Sequence, residues 1–583
     1  MSKLIHPSGG LGGQFGLIWA GLMRLRALHA RLRLVWPTWL PRTLAPLLAL
    51  LLGHVLADAG IYPPLLFFAA LLFAFFAAVL QRWAAFGAAI GLESLFNSID
   101  SVKQAMTDEP LVARDLWSAS QGGALTSYLN AEIIGWTLLL LLSIAIGLYY
   151  RPRLRIWRVL TGAILPALLL SRVFAPPGVN GYANALIEDG LGAHYLSYNF
   201  HENVRQNGIL AHLYQTAESV AVPEPGPHDF YAVTPLTPAG TTVQPDIVMI
   251  LCEACFSSRD ERFVTPLADL RRSGFVQTSV VSPVYGGGTA EAEFEYLTGM
   301  PSTVLPGIDY QNFAGAYRDG ARTLVSKLRH AGYRTIGMHN FYGSFWKREE
   351  VYPKLGFQET HFIDDMKWEE DGWPADALMY KRAQQVYAQQ PRGGHTFMFL
   401  VTVRTHGAYT TKEGDGGRGD YETRLRQSVT DLQRFVKAID AQAKKRKREV
   451  MYVLVGDHKP SLSKAFHDAG VFDAGFFRSV GSSNADFQFA LKLTPEQQGR
   501  RGEVPLFVRY GADKQRAERM ADQAAGRPMF CVPAVVSQQL PYRGQYFDTL
   551  ASRCSAPAEQ MTVAAAEGWQ RDFPRALFAE RLF

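Results

Sequence analysis

PDIVMILCE, residues 245–253, is the stretch that sets the fold class of this 583-residue chain. An aspartate is followed by six apolar residues without alternation, and the run ends on Glu253. Strands that are buried on both faces of a parallel sheet have this continuous apolar pattern, whereas a strand with one solvated face alternates. We therefore expect a buried parallel strand here, with Glu253 at its carboxyl end.

Apolar strands and helical patterns alternate after this stretch. Further strands are predicted at 275–281, 333–340, 395–403, 449–458 and 504–510, and helices from Thr289 and at 323–332, 375–390 and 421–446. Helices between apolar strands indicate an α/β domain with a central, mostly parallel sheet that is covered on both faces. In such sheets the functional site lies beyond the carboxyl ends of the strands.

Four of the predicted strands end on residues that can bind a metal or a phosphate. These residues are Glu253, His339, His406 and the pair Asp457 and His458. One polar residue at a strand end is ordinary, but four such strand ends together indicate a site. Carboxylate oxygens with one imidazole suit a divalent cation such as Mn²⁺, Mg²⁺ or Zn²⁺.

GGGTAEAEF (286–294) places three glycines directly before Thr289 at a predicted helix start. Glycine lets the backbone approach a ligand closely, and the first turn of a helix presents N–H groups to phosphate oxygens. A metal-bound hydroxyl at Thr289 could attack phosphorus as a nucleophile. An ordinary N-cap threonine is the alternative, and the two roles are compatible. We expect Glu291, Glu293 and Glu295 to be a solvated or dipole-favoured helix start and not catalytic acids.

The first 175 residues have the composition of a membrane region. Long apolar runs lie at 43–62, 63–80, 133–150 and 156–174, and a weaker run with Glu93 inside lies at 83–99. A helix of roughly 20 residues crosses a bilayer. Lysines and arginines cluster before residue 43, at Arg82 and at 151–158. All three clusters are cytoplasmic only if five spans cross, which places the chain after residue 175 outside.

Three regions are therefore predicted. Residues 1–175 are a transmembrane region of about five spans with a polar outer loop at 98–130, residues 176–243 are a linker along the membrane, and residues 244–583 are an extracytoplasmic catalytic domain. The N-terminus lacks the pattern of a cleaved signal peptide, so we expect a permanent membrane anchor. A formal net charge of +6 is mild for this length and does not favour a nucleic-acid partner.

The four cysteines fit an extracytoplasmic domain. Cys531 and Cys554 lie in the C-terminal region and can pair there. Cys252 and Cys255 flank the predicted end of the first strand. One C-x2-C without a second is poor support for a zinc site.

Five motifs resemble, in the same order, those of lipoteichoic acid synthase and its relatives: PDIVMILCEACFSS, GGGTAEAEFEYLTGMPS, MHNFYGSFWKREEVYPKLGF, VTVRTHGAY and VLVGDHKP. The match covers roughly residues 245–460, and the five-span N-terminal half also resembles that architecture. The family consists of membrane-anchored phosphoglycerol transferases of bacterial inner membranes with a catalytic domain of the alkaline phosphatase and sulfatase superfamily. The resemblance implies the same fold and location for this chain.

The resemblance also implies a role for each matching residue. Thr289 becomes the nucleophile and, with Glu253, Asp457 and His458, a ligand of a divalent metal, for which Mn²⁺ is expected. His406 would hold a phosphate oxygen. The implied reaction moves a glycerophosphate group from phosphatidylglycerol, through a phospho-threonine, to a cell-envelope glycan or a polyglycerolphosphate.

His339, Trp346 and Arg348 match the glycerophosphate pocket of that family in identity and spacing. Without the resemblance, Trp346 would be interpreted as a core aromatic. Arg348 suits a bidentate phosphate clamp. Two features depart from the family: the cysteines around the metal glutamate, and the Lys459-Pro460 pair after the aspartate and histidine. Beyond about residue 460 no resemblance is found.

Three other functions share parts of this pattern. A phosphoethanolamine transferase uses the same chemistry, but its pocket should offer carboxylates or an aromatic cage to a cation. A sulfatase needs a Cys or Ser in a C/S-x-P-x-R context, whereas this chain has Thr289 followed by Ala-Glu-Ala; a phosphodiesterase would only hydrolyse. A non-catalytic sensor or scaffold would be expected to have lost some of the ligand residues, all of which are present.

Overall fold

A computed structural model describes most of the chain. The described residues are 40–57, 60–107, 110–118, 130–150, 156–174, 183, 185–193, 200–217, 234–238, 244–256, 266–302, 321–368, 373–391, 393–407, 409, 417–460, 477–479, 487–489, 495–544 and 546–555. The basic clusters before residue 40 and at 151–155, on which the predicted membrane orientation depends, lie outside these ranges.

Seven strands form the main sheet. In chain order they are β1 (Asp246–Cys252), β2 (Val276–Val281), β3 (Tyr333–His339), β4 (Glu359–His361), β5 (His395–Val401), β6 (Val450–Gly456) and β7 (Glu503–Tyr510). Their spatial order is β2-β7-β6-β1-β5-β3-β4. The strands from β6 to β4 are parallel, while β7 is antiparallel to both of its neighbours. The sheet is therefore mostly parallel, as predicted.

The described helices precede, cover and follow this sheet. They are α1 (Leu40–Ala57), α2 (Pro63–Val79), α3 (Arg82–Thr107), α4 (Ala113–Ser118), α5 (Ala131–Tyr149), α6 (Ile156–Gly162), α7 (Ile164–Phe174), α8 (Phe200–Asn207), α9 (Ile209–Thr216), α10 (Thr289–Thr298), α11 (Leu324–His330), α12 (Arg348–Leu355), α13 (Asp376–Ala388), α14 (Arg418–Lys445), α15 (Pro495–Gly502), α16 (Lys514–Ala524), α17 (Val532–Ser537) and α18 (Phe547–Cys554). Short 3₁₀ helices include Pro266–Ser273, Phe345–Lys347 and Met529–Cys531. α8 and α9 lie in the predicted linker, and α9 packs against α2.

β1 is buried along its whole length because it contributes to two cores. Ile247, Met249 and Leu251 pack in the layer that contains α10–α12 and α16–α18. Val248 and Ile250 pack in the opposite layer, with α13 and α14. Successive side chains of a strand point to opposite faces, so a strand between two helix layers is apolar at every position. The interpretation of PDIVMILCE as a buried parallel strand is confirmed.

α10 differs from the expectation in two ways. Gly288 has φ +82° and occupies the N-cap position, so Thr289 is the first helical residue and not the cap. The three glutamates are not solvated: Glu291, Glu293 and Glu295 are only 6%, 0% and 2% exposed. All residues of α10 are buried because the helix packs against α17 and the Met529–Cys531 turn as well as the sheet. The prediction that these glutamates are solvated is therefore wrong, whereas a favourable interaction with the helix dipole stays a prediction.

Glu295 has its own internal partners. Its Oε1 accepts hydrogen bonds from the backbone N–H of Ser302 at 2.8 Å and from the Ser302 hydroxyl at 3.2 Å. Burial raises the pKa of the Glu295 carboxyl to about 8, against the opposing effect of the hydrogen bonds from Ser302 and Phe530. Glu295 is therefore largely protonated in the folded chain at neutral pH.

One helix among the described residues is long and apolar enough to cross a membrane, the 19-residue α5. α2 and the Leu44–Ala57 part of α1 are apolar but shorter. Residues 156–174, expected as one span, form the two helices α6 and α7. The weak run at 83–99 lies inside the 26-residue α3. The structure thus supports one candidate span, and the five-span arrangement stays a prediction.

α3 continues past its predicted end to Thr107, so the loop predicted from residue 98 is wrong for its first part. The polar side chains there are buried and paired. Asp100 Oδ1 accepts a hydrogen bond from Leu111 N at 2.5 Å, and Lys103 Nζ lies 2.7 Å from Asp115 Oδ2. Such partners offset the cost of burying polar groups, and hydropathy alone does not reveal them.

The four cysteines form two disulfides. Cys531 pairs with Cys554, as the sequence allowed, and joins the Met529–Cys531 turn to α18. Cys252 pairs with Cys255 across Glu253 and Ala254, the two residues that follow β1. Both thiols of the C-x2-C motif are used in this bond.

We predict that Glu295→Gln makes stability less dependent on pH. The folded pKa of about 8 lies above the ordinary 4.5, so the folded chain binds more protons than the unfolded chain between these values. The contribution of Glu295 to stability is therefore complete below about pH 4.5. It is lost as the pH rises through about 8, by up to roughly 1.4 kcal/mol per pH unit. Denaturant unfolding at a series of pH values between these two pKa values tests the prediction. If the free energy of unfolding of the variant and of the wild type changed with pH in parallel, the prediction would be contradicted.

Candidate active site

β1 and β6 bring two carboxylates together. The strands are parallel neighbours with Cys252 opposite Gly456. The next residues, Glu253 and Asp457, therefore leave the carboxyl edge of the sheet side by side. A side chain at Gly456 would collide with the carbonyl oxygen of Cys255, so glycine permits this close approach.

α10 presents its first residue to the same edge. Thr289 Oγ1 lies 2.9 Å from Asp457 Oδ2, 3.3 Å from Glu253 Oε2 and 3.4 Å from His458 Nε2. Gly286 and Gly288 both have positive φ angles, of +75° and +82°, and this backbone geometry favours glycine. One buried hydroxyl is thus surrounded by the side chains of two strand ends.

The hydrogen bonds of His458 define which ring nitrogen faces this hydroxyl as an acceptor. Its Nδ1 lies 2.8 Å from the Lys459 carbonyl oxygen, which can only accept, so we assign the proton to Nδ1. Nε2 then presents a lone pair 3.4 Å from Asp457 Oδ2 and 3.6 Å from Glu253 Oε1. Metal-binding histidines commonly donate their second ring N–H to such an oxygen.

Backbone groups orient the carboxylates. Asp457 Oδ1 accepts hydrogen bonds from the N–H groups of Ala254 and His458, both at 2.7 Å. Glu253 N donates to Thr402 Oγ1 at 2.9 Å, which ties this residue to the end of β5. One oxygen of Asp457 is therefore used for positioning, while the other faces the hydroxyl of α10.

The residues fit a divalent cation. Glu253, Asp457 and His458 each place one ligand atom within 4.8 Å of the others, and all three side chains are buried. Carboxylate oxygens and an imidazole nitrogen are the ligands that Mn²⁺, Mg²⁺ and Zn²⁺ accept. Burying two carboxylates together is costly unless a positive charge compensates them. The chemistry of the donor set therefore favours a metal.

Arg348 forms a buried ion pair with Glu293. Its Nε and Nη2 lie 3.0 Å and 2.9 Å from Glu293 Oε2, and the two side chains are 1% and 0% exposed. Trp346 is also buried, in the same core layer as α10. Trp346 and the next residue, Lys347, have positive φ angles of +58° and +51°. One side of the guanidinium is thus already bound to a carboxylate. The phosphate contact of Arg348 stays a prediction.

His339 and His406 are the two histidines that the sequence assigns to substrate binding. His339 Nδ1 donates to the Val401 carbonyl oxygen at 3.2 Å, and its buried Nε2 has no hydrogen-bond partner among the residues that the structure describes. Burial lowers the pKa of His339 well below its usual value, and the charges of Arg348 and His406 act in the same direction. The His406 ring packs on Trp373 with the ring centroids 4.0 Å apart.

Sequence reasoning missed three residues around the site. Glu293 was interpreted as solvated, although its place four residues after Thr289 puts it on the same helix face. Lys459 donates its ammonium group to the carbonyl oxygens of residues 500, 501 and 503 and so anchors the segment after β6. Nothing in the pattern around Trp373 indicated its contact with the predicted phosphate-binding histidine.

A protein-family model, Sulfatase, matches residues 245–538. A Rhizobium meliloti protein named for cyclic beta-1,2-glucan modification is 29% identical over 318 residues, which cover 49% of this chain and 47% of the relative. The capsular polysaccharide biosynthesis protein RkpI of the same organism is 30% identical over 213 residues, covering 35% of this chain and 38% of RkpI. The chain thus matches less than half the length of these curated relatives.

Several solved structures are similar to the chain. The phosphoethanolamine transferase EptA of Neisseria meningitidis has a TM-score of 0.44 at 15% identity and covers 81% of this chain and 91% of its own. The Streptococcus pyogenes phosphoglycerol transferase GacH has a TM-score of 0.41 at 13% identity, with 58% and 87% covered. The Listeria monocytogenes lipoteichoic acid synthase LtaP has a TM-score of 0.39 at 16% identity, with 53% and 76% covered.

We predict that Asp457→Asn removes metal binding and leaves the fold intact. Asparagine Oδ1 can still accept the two backbone hydrogen bonds, but the charge that faces Thr289 is lost. Mn²⁺ at 100 times its Kd should stabilise the wild type by about 2.7 kcal/mol and the variant by far less. Thermal unfolding of the full chain with and without Mn²⁺ measures this difference.

Asp440→Asn provides the matched control. Asp440 pairs with Arg509 at a partly exposed position on the opposite side of the sheet from α10, so this variant should respond to Mn²⁺ as the wild type does. An Asp457→Asn protein that Mn²⁺ stabilises as strongly as the wild type would contradict the metal assignment.

Proposed function

The chain belongs to the sulfatase family, and we propose that within this family it is a membrane-anchored, metal-dependent phosphoglycerol transferase. Its reaction would move glycerophosphate from phosphatidylglycerol to a glycan or polyglycerolphosphate acceptor through a phospho-threonine at Thr289. The observation that carries this proposal is the Thr289 hydroxyl, within 3.4 Å of Asp457, Glu253 and His458. A threonine that only starts a helix needs no such neighbours.

In the first half-reaction Thr289 Oγ1 attacks the phosphorus of phosphatidylglycerol. Asp457 Oδ2, 2.9 Å away, accepts the hydrogen bond of the hydroxyl and so orients it. Because this oxygen is also a proposed ligand of the cation, the proton passes through water to the leaving diacylglycerol oxygen. A bond forms between Oγ1 and phosphorus while the bond from phosphorus to the diacylglycerol oxygen breaks. Diacylglycerol leaves with the proton, and a glycerophosphoryl group stays on Thr289.

Glu253, Thr289, Asp457 and His458 would hold the divalent cation, which we propose to be Mn²⁺, with Mg²⁺ and Zn²⁺ as alternatives. When bound, the cation would supply positive charge that favours a nucleophilic oxygen and an anionic phosphate at this place. The first turn of α10 adds backbone N–H groups and the positive end of the helix dipole. His406 would contact a phosphate oxygen from the other side.

In the second half-reaction an acceptor hydroxyl attacks the phosphorus. The new bond forms between the acceptor oxygen and phosphorus, the bond to Thr289 Oγ1 breaks, and the proton that the acceptor hydroxyl loses returns to Thr289 through water. The names of the two curated relatives refer to a cyclic glucan and a capsular polysaccharide. These names support a glycan as the acceptor.

Two features of the pocket favour glycerol over ethanolamine as the head group. The pKa of His339 is lowered, first by burial, so the neutral ring offers Nε2 as an acceptor for a head-group hydroxyl. The Glu293 carboxylate is already paired with Arg348, whose charge repels an ammonium group. Trp346 would pack against the glycerol carbons.

We further propose that the enzyme lies in the bacterial inner membrane with five spans and an extracytoplasmic catalytic domain. α5 is the described helix that supports this location best, because it is 19 residues long and only 17% of its 18-residue apolar stretch is buried inside the protein. An enzyme whose donor and diacylglycerol product both reside in the bilayer needs such an anchor.

A labelled-lipid assay tests the function. The purified full chain is incubated with Mn²⁺ and vesicles that contain phosphatidylglycerol or phosphatidylethanolamine labelled in the head group. We expect label on the protein and released diacylglycerol from phosphatidylglycerol only, and a loss of at least ~1000-fold in Thr289→Ala, which lacks the nucleophile. Thr298→Val, at the other end of the same helix, should retain activity.

Other outcomes identify the alternatives. Label from phosphatidylethanolamine alone would overturn the proposal in favour of phosphoethanolamine transfer. Rapid release of free glycerophosphate without an acceptor would indicate a hydrolase. Absence of diacylglycerol from either lipid would indicate a protein that keeps the fold without this chemistry.

A further inference from the structure

Glu293 and the nucleophile share one face of α10. Thr289 and Glu293 are four residues apart, a spacing that places two side chains next to each other along a helix. Thr289 contacts Asp457, and Glu293 contacts Arg348 one turn later. α10 therefore links the proposed nucleophile directly to the arginine of the proposed phosphate pocket.

Arg348 follows a backbone segment that must be held by its surroundings. Trp346 and Lys347 are consecutive non-glycine residues with φ angles of +58° and +51°, and Arg348 then begins α12. Residues in the left-handed region persist where the surrounding structure holds them. A buried ion pair between Arg348 and Glu293, at 2.9 Å, supplies such a hold.

The ion pair also fixes how the guanidinium is turned. Nε and Nη2 both contact the same oxygen, Oε2 of Glu293. Because a guanidinium is planar and rigid, binding one side of it determines where its other N–H groups point. Burial lowers the pKa of His339, and the positive charge of Arg348 acts in the same direction.

We propose that Glu293 is a positioning residue that holds the Arg348 guanidinium in the orientation that binds the donor phosphate. This inference rests on the proposed phosphotransfer at Thr289 and names the group that organises its donor pocket. The T-x3-E spacing in GGGTAEAEF then has a physical reason, because one helix face carries both the nucleophile and the anchor of the phosphate-binding arginine. An ion pair that only stabilises the fold is the competing explanation.

A double-mutant cycle separates these explanations. Steady-state diacylglycerol release is measured from phosphatidylglycerol vesicles for the full-chain wild type, Glu293→Gln, Arg348→Lys and the double variant, together with thermal unfolding. Glu295→Gln is the control for a Glu-to-Gln substitution in the same buried helix, because Glu295 contacts Ser302 instead and is already largely protonated, so the charge near Arg348 is unchanged. If Glu293→Gln does not fold, Glu293→Asp, which keeps the charge and shortens the side chain, takes its place.

We expect Glu293→Gln to lower kcat/KM by 10- to 100-fold, mainly through a higher KM, with Mn²⁺ binding unchanged (~1.4 kcal/mol per factor of ten). In the Arg348→Lys background the same change should have little further effect, because Glu293 acts through Arg348. The positioning role would be overturned if Glu293→Gln had the kcat/KM of the wild type, or if the two single losses of kcat/KM multiplied in the double variant. An equal loss of kcat/KM in Glu295→Gln would also overturn it. A wild type that releases no diacylglycerol would instead overturn the proposed function.

Discussion

Two buried carboxylates that face one hydroxyl are the constraint on which the domain depends. Glu253 and Asp457 are 4% and 0% exposed, and both approach Thr289 Oγ1 within 3.3 Å. Like charges in a buried place cost free energy unless other groups compensate them. Here two backbone N–H groups bind one oxygen of Asp457. The carboxylate oxygens and the His458 nitrogen that remain are the kinds of atom that bind a divalent metal. The parallel register of β1 and β6 makes this convergence possible.

The helix that carries the hydroxyl also connects this site to the proposed donor pocket. α10 is buried on all sides, so its polar residues must find internal partners. Glu293 finds Arg348, and Glu295 finds Ser302. The first partner lies in the proposed pocket and the second lies away from it. Two glutamates that lie two positions apart on one helix thus have different kinds of partner, a charged arginine for Glu293 and a serine for Glu295.

The sequence predicted the sheet and the convergence of Glu253, Asp457 and His458 because both follow from short-range patterns. Continuous apolar runs identified β1, β5 and β6, and the carboxyl ends of parallel strands meet at one edge, which brought Glu253 and Asp457 together. The Glu293–Arg348 pair joins residues 55 positions apart, and no local pattern reveals which charges meet. The burial of α10 was missed for the same reason, since C-terminal helices cover it. Hydropathy likewise ended α3 too early, because buried partners stabilise its polar turns.

Peptide mapping by mass spectrometry after a brief incubation with phosphatidylglycerol and Mn²⁺ tests the central claim most directly. We expect a glycerophosphoryl group on the peptide that contains Thr289, with fragment ions that assign it to the threonine, and its removal when an acceptor glycan is added. An adduct on another residue, or diacylglycerol release without any adduct on Thr289, would contradict the account.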